Sequence, residues 1–479
     1  MSKQKALSTG SALLVSASLL LSACGPAATT APTSAPEATS APEATVAPEA
    51  TSAPEATAAT SGEAVTIRYT MWDSNQLPVY QQCADAFHAK NPNITVAVEQ
   101  QGWDDYWNAI QTGFVSGDAP DVFTDHLAKY PEFAVKEQIL DIEPYVQRDA
   151  VDTSVYLTGL ADLWVRQGKR YGLPKDWDTI AIFYNADMLA AAGIDPAVMK
   201  DWTWNAQDGG SFTETIAKLT IDKNGKNGLD PAFDKANVAQ YGFIHQGAGG
   251  FSGQTQWSMF AVSNGFKFTD GPWTTTYYYD DPKLAETMAW YYGLVEKGYA
   301  PTVETLTGVG GDAFFVAGSG AMTTEGSWQI GYFLDNSSFK VGFGLLPVGP
   351  EGRKSMFNGL ADSIYVGTKH PEEAWQWVKF AASAECANIV GDSGVVFPAQ
   401  QSGVERNLKA REAQGVDVTA FTDTALDPNS TFLFPITDNG SQVANIMTPV
   451  MDSIMLGQAD PDIATVLKNA NEEVNALFK

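Results

Sequence analysis

The sequence predicts an α/β protein with a mainly parallel sheet, long enough for two or three lobes. Three observations carry this. From Val65 onward, short alternating or apolar runs take turns with segments of helical periodicity, the pattern of strand–helix units. Clusters of Gly, Pro, Asn and Asp punctuate the runs at close spacing. A chain of 479 residues also exceeds what a single hydrophobic core organises.

Lys3 and Lys5 precede an apolar run from Ala12 to Ala23 that is too short to span a bilayer and suits the core of a signal peptide. Leu21-Ser22-Ala23-Cys24 resembles the bacterial lipobox. That resemblance implies cleavage before Cys24, diacylglycerol on its thiol and an exported chain held at a membrane. Residues 25–63 are mostly Ala, Pro, Thr, Ser and Glu, with APEAT recurring from Ala35. They cannot bury a core and read as a disordered tether, reaching about 120 Å if fully extended and about 35 Å as a coil.

The folded part opens with an alternating strand over 65–71 that ends in Trp72-Asp73. A helix over 77–88, a strand over 94–98, a helix over 103–115 and a strand over 122–124 follow, with Asp125-His126 beyond the last strand's end. Residues 180–185 form a buried strand, 187–192 a helix stopped by Gly193, and 212–219 another helix. Tyr277-Tyr278-Tyr279 ends a strand before a helix start at Asp281-Pro282. Residues 341–347 read as a strand and 371–390 as one long helix. The last helix sets Ile463, Val466, Leu467, Ala470, Val474 and Leu477 on one face, as a docking helix does.

Within 314–333, Gly318-Ser319-Gly320 breaks a helix-like run and 321–324 is a short strand. Glu325-Gly326 turns the chain, and Ser327 suits the N-cap of a helix beginning at Trp328. Ligands of open α/β sheets sit at the carboxyl ends of strands, where such turns lie. An indole there presents a flat apolar face and one N–H donor, matching the C–H face and hydroxyl edge of a pyranose. A core tryptophan beside a structural turn is the competing reading.

Composition bounds the partners. Thirteen Trp, 17 Tyr and 24 Phe stand against four His, and the net charge is −27. That charge argues against nucleic acid, anionic solutes and anionic lipid surfaces, and suits neutral or cationic ligands. Three cysteines are too few for a disulfide scaffold. Cys83 and Cys386 both fall in helical patterns, so two buried thiols or one bridge remain open.

The succession strand-Trp-Asp, N-P-N-I-T-V, G-D-A-P-D-V-F, Y-G-L-P, F-Y-N-A-D-M and E-G-S-W resembles the extracellular solute-binding proteins of sugar ABC importers, the group that includes maltose-binding proteins. The resemblance runs from Val65 to the C-terminus. It implies a type II periplasmic-binding-protein fold of two α/β lobes joined by a multi-strand hinge. Residues 64–174 with 361–395 would form lobe one, and 178–357 with 398–479 lobe two. Crossings would lie at 173–179, 357–362 and 395–398. The expected function is capture of a neutral sugar or oligosaccharide and delivery to an ABC permease, by a monomer with no cofactor.

Carried over by motif, the site is Trp72 and Asp73, Asp125 and His126, Trp177 and Asp178 with Tyr184, Glu325 and Trp328, and Asn358 and Asp362. Trp257 is a weaker candidate. Thr124-Asp125-His126 stands where relatives often place an aromatic or small polar pair. The loop at 222–228 partly resembles a calcium loop, with an ordinary surface turn as the alternative. No metal site is expected.

Enzyme chemistry has no positive signal. Gly391-Asp392-Ser393-Gly394 matches the core of a trypsin-type serine motif but reads as a loop, since no Ala-Ala-His-Cys companion exists. There is no GxSxG, HExxH, Walker A or GxGxxG. A glycosidase needs two suitably spaced carboxylates, which an acidic chain cannot exclude by sequence. A polyamine binder is the other alternative.

Overall fold

The computed structural model describes residues 63–479, so the expectations placed on Cys24 and on the tether lie outside the described residues. Strand β1 (Val65–Met71) is followed by α1 (Leu77–Lys90), β2 (Ile94–Gln100), α2 (Trp103–Ser116) and β3 (Val122–His126). β1 pairs in parallel with both β2 and β3. Asp125 and His126 belong to β3 itself, one residue pair further along than the sequence pattern suggested.

The chain then runs through β4 (Leu173–Asp178) and β5 (Ile180–Asn185), and later β6 (Met322–Gly326), β7 (Val341–Gly344) and the ten-residue β8 (Ser355–Ile364). Two short strands, β9 (Phe397–Pro398) and β10 (Thr431–Leu433), complete the large sheet. A seven-stranded sheet has the order β9-β4-β8-β3-β1-β2, with β10 added to β8. A second sheet is β6-β5-β7, antiparallel throughout.

The joint between the sheets explains itself locally. β4 lies in the large sheet and β5 in the small one, with only Thr179 between them. β8 pairs with β10 at its start, with β4 through its middle and with β3 at its end. Apolar side chains gather in one core around Tyr69, Tyr80, Phe87 and Trp377 and another around Trp204, Phe212, Phe260 and Trp290.

Several local expectations differ. The helix over 371–390 is two helices, α3 (Pro371–Ala381) and α4 (Ala384–Ser393), broken at Ala382-Ser383, where Ser383 stands at the N-cap position of α4. Gly391–Ser393 is thus the last helical turn rather than a loop, closed by Gly394 at φ +74°. Ser393 Oγ donates to the Val390 carbonyl at 2.6 Å. Helix α5 (Gln401–Ala413) packs on α4, with Gly403 lying against the Ala387 carbonyl. Tyr277 and Tyr279 form no regular strand. Their N–H groups donate to the side chains of Asn475 and Asn471 at 2.8 and 3.0 Å, so the final helix takes the place of a sheet partner.

Cys83 of α1 and Cys386 of α4 form a disulfide across 303 residues of chain. At the candidate calcium loop, Asp222 accepts backbone N–H groups from Asn224, Lys226 and Asp234 at 2.8–2.9 Å, and Lys226 pairs with Asp230 at 2.9 Å. Its acids are engaged by the loop's own donors, which makes it a closed surface turn.

Candidate functional site

Three parallel strands end side by side, and each delivers an aromatic ring. β1 delivers Trp72, β2 leads through a short turn to Trp103 at the start of α2, and β3 ends in His126. The Trp72 ring meets Trp103 at 5.1 Å and 88°, Tyr106 at 5.3 Å and Trp107 at 5.5 Å. Edge-to-face geometry of this kind suits the quadrupoles of the rings. Gln100 donates to the Trp72 carbonyl at 2.8 Å and ties the two strand ends together.

On the other side, β6 ends at Gly326, and Ser327–Gln329 form a single 3-10 turn before the next helix. Gly326 precedes that turn in the N-cap position, and Ser327 Oγ is buried without a partner, so the expected serine cap is replaced by an unused hydroxyl. Glu325 and Gly326 lie in the strand, not in a turn. Trp328 packs over Gly326, where an added Cβ would stand 1.9 Å from the ring. Only glycine admits the indole there.

Between these two aromatic walls runs β4. A bulge at Lys175 sets Asp176 opposite Leu360 and Pro174 opposite Ala361. A bulge re-aims side chains, and here it sends the Lys175 ammonium behind the sheet. There it contacts Tyr69 Oη and Thr124 Oγ1 at 2.9 Å, lies 3.6 Å from Asp362 and sits 3.9 Å from the Tyr80 ring centre. Asp176 and Asp178, two residues apart on one strand, turn the other way. Trp177 alternates between them and stacks on Phe397 at 4.8 Å and 11°.

The result is a cavity of about 370 Å³, lined by Trp72, Asp73, Gln76, Trp103 and His126 from one side. Gln254, Ser327, Trp328 and Gln329 line it from the other, and Asp176, Trp177, Asp178 and Asn358 form the floor. Asp178 accepts from Asn358 Nδ2 at 3.0 Å and from Gln254 Nε2 at 3.1 Å. The Asn358 amide nitrogen also lies 3.1 Å from His126 Nε2. Asp73 accepts from the Asn75 N–H at 2.8 Å and from Gln76 Nε2 at 2.9 Å.

Burial sets the electrostatics. It pushes Asp178 up to about 8 and Asp176 up to about 7, and raises Asp73. Burial also brings His126 down to about 3, which keeps the imidazole neutral. Five of the buried polar atoms without a partner line this cavity: Gln76 Oε1, Asp176 Oδ2, Trp177 Nε1, Ser327 Oγ and Asn358 Oδ1. Native interiors satisfy such atoms, and here a polar molecule in the cleft is placed to do so.

Seven of the named candidates converge: Trp72, Asp73, His126, Trp177, Asp178, Trp328 and Asn358 all line the cavity. The others do not. Asp125 projects from the opposite face of β3, its carboxylate accepting the His126 N–H at 2.8 Å, and burial raises it to about 8. Asp362 is held behind the sheet, accepting from Tyr69 and Thr124 at 3.0 and 3.1 Å. Glu325 is buried with its carboxylate on the Gly326 N–H at 2.7 Å. Tyr184 pairs with Met322 at the start of β6, four residues from the Gly326 end, hence roughly 13 Å from the cleft. Trp257 is fully buried, packed over Gly253.

Residues 73–387 match the family model of the bacterial extracellular solute-binding proteins. The chain belongs to this family. Among its relatives, the galactooligosaccharide-binding protein of Bacillus subtilis is 23% identical over 434 residues, covering 85% of this chain and 89% of the relative. The arabinooligosaccharide-binding protein of the same organism is 23% identical over 341 residues, covering 68% and 72%. The crystal structure of UspC from M. tuberculosis superposes with a TM-score of 0.67 at 26% identity, over 86% of this chain and all of that one. An ABC substrate-binding protein of Listeria monocytogenes in complex with cycloalternan gives 0.75 at 21% identity, over 87% and 99%. The solute-binding chain thus has the two-lobed type II fold that its motifs resembled.

Trp103, Asp176, Gln254, Gln329 and Gln76 were missed from the sequence. Two carried a readable signal. Asp176 stands two residues before Asp178 in one strand, which shares a face, and Trp103 opens a helix after the second strand just as Trp328 follows β6. The glutamines carried none.

Proposed function

We propose that this solute-binding chain captures a sugar or oligosaccharide and hands it to the permease of an ABC importer. The observation that carries the reading is that Trp72 and Trp328, from two different sheets, line one cleft floored by Asp176, Asp178 and Asn358. Indole faces stack on pyranose rings, while carboxylates and amide oxygens accept hydroxyl hydrogens. Relatives named for arabino- and galactooligosaccharides support the ligand class.

Residues 173–179, the middle of β8 and the segment at 395–398 would serve as the hinge, the chain passing from lobe one to lobe two, back to lobe one and again to lobe two, as the resemblance implied. A ligand that touches both walls binds the closed form better and shifts the equilibrium toward it, as in periplasmic binding proteins generally. The permease would read the closed shape. Cys24 would carry the lipid anchor and the Ala/Pro/Thr/Glu segment would be the tether, holding a monomer that binds rather than converts its ligand.

A thermal-shift screen against a sugar library tests this. A ligand at about 100 times its dissociation constant stabilises the fold by about 2.7 kcal/mol. A library that leaves the melting temperature unmoved, with spermidine raising it, overturns the sugar reading in favour of a polyamine.

A further inference from the structure

The charge inventory of the cleft goes a step further, and it rests on the sugar reading above. Three aspartates, Asp73, Asp176 and Asp178, line the cavity, and among the described residues no Lys or Arg does. The nearest cation on the strand, Lys175, is turned behind the sheet and spent on Tyr69, Thr124 and Asp362. His126 is neutral by burial. The floor therefore has acceptors, and the one cation that acts on it, Lys175, does so from behind the sheet without entering the cavity.

The unpartnered atoms point the same way. Asp176 is 3% exposed and its Oδ2 has no partner, while Asn358 is 2% exposed with Oδ1 free, and Gln76 is 3% exposed with Oε1 free. Against these three acceptors stand one obligate donor, Trp177 Nε1, and the Ser327 hydroxyl, which does either. A neutral sugar hydroxyl donates one hydrogen to such a floor. An ammonium group donates three and puts a positive charge inside the cavity, where no Lys or Arg stands.

We propose that the cleft selects sugars bearing a basic amine, whose ammonium group sits on the floor formed by Asp176, Asp178 and Asn358. Without ligand, burial and mutual repulsion favour protonated carboxyls: Asp362 and Asp73 raise Asp176, and Asp176 raises Asp178, with Lys175 opposing at Asp176. Tyr80 also faces Asp176, and Glu325 of β6 faces Asp178. A cation reverses that balance, so amine binding releases protons from the floor near neutral pH.

Calorimetry on the full chain at pH 6.5 decides it, using matched oligosaccharides of glucose, glucosamine and N-acetylglucosamine of the same linkage. Hydrogen bonds to a charged group exceed neutral ones by roughly the margin of a tenfold affinity change, so the glucosamine member binds about tenfold tighter than both partners. The heat of that binding alone varies with the ionisation enthalpy of the buffer. Asp176→Asn collapses the ratio of affinities toward one, and Asp178→Asn provides the same test if the first variant does not fold. A glucose member that binds as tightly as the glucosamine member overturns the amine proposal and leaves the sugar reading standing. Binding of spermidine with no sugar bound overturns both.

Discussion

On one wall of the cleft Trp72 packs within 5.5 Å of three other aromatic rings, and on the other Trp328 rests on the bare Cα of Gly326. Both indoles are half-buried and both follow a strand. The first is fixed by side chains that make a small core of their own, so binding surface and structure are the same atoms. The second rests on backbone, through a glycine and a 3-10 turn; its ring touches the edges of both apolar cores, but among the described residues no other aromatic ring is paired with it. Damage to the first wall should therefore register in stability as well as affinity, and damage to the second chiefly in affinity.

The largest expected effect breaks the support of the first wall. α1 begins directly after the loop that carries Trp72 to Gln76, and Cys83 ties that helix to α4. Bridges that close long loops stabilise by about 2–4 kcal/mol. Reduction, or the pair Cys83→Ser and Cys386→Ser, should lower the unfolding temperature by that equivalent, read by calorimetry with and without reductant. Identical traces would show that the bridge contributes nothing to this wall.

Trp72→Ala should cost about 2–3 kcal/mol of stability, somewhat below the usual cost of a core tryptophan because the ring is half-buried. Trp328→Ala should cost under about 1 kcal/mol of stability, while both weaken sugar binding. Gly326→Ala sharpens the point, because its methyl displaces the indole and should reproduce the binding loss with Trp328 still present. Denaturant unfolding and calorimetry on the three variants separate these outcomes. Equal stability losses for Trp72→Ala and Trp328→Ala would remove the distinction between the walls.

The same contrast explains what was legible in the sequence. Alternation of strands and helices around 65–124 is local, and there the elements were placed to within a few residues. Trp72 and Trp328 were legible because strand–turn–helix patterns place their tips at sheet ends. The orientation of Asp125 and Asp362 was not, because it depends on which face of β3 and β8 meets the cavity, and a one-residue shift inverts that. The bulge at Lys175 is invisible for the same reason. It decides that Lys175 leaves the cleft and Asp176 stays, yet only the pairing with β8 reveals it. Likewise, Ser327 looked like a cap by residue type, but capping needs a hydroxyl aimed at the following N–H groups, and here it is buried unpaired.

A pH-dependent effect tests the floor that joins the two walls. Asp178 is held by Asn358, which also meets His126 of the first wall, and by Gln254 of the second. Burial pushes it up to about 8, well above the ordinary carboxyl value of about 4 in the unfolded chain. Between those values the folded state holds a proton that the unfolded state has released. Its contribution to stability is thus complete below pH about 4 and is lost as pH rises toward 8. Asn at 178 is neutral at every pH and close to the protonated carboxyl in shape. Relative to the difference at pH 5, Asp178→Asn should gain on the parent as pH rises toward 8, by up to about 1.4 kcal/mol per pH unit. Parallel pH profiles for the two proteins would mean that the carboxyl ionises without cost, and that the floor is wetter than its burial implies.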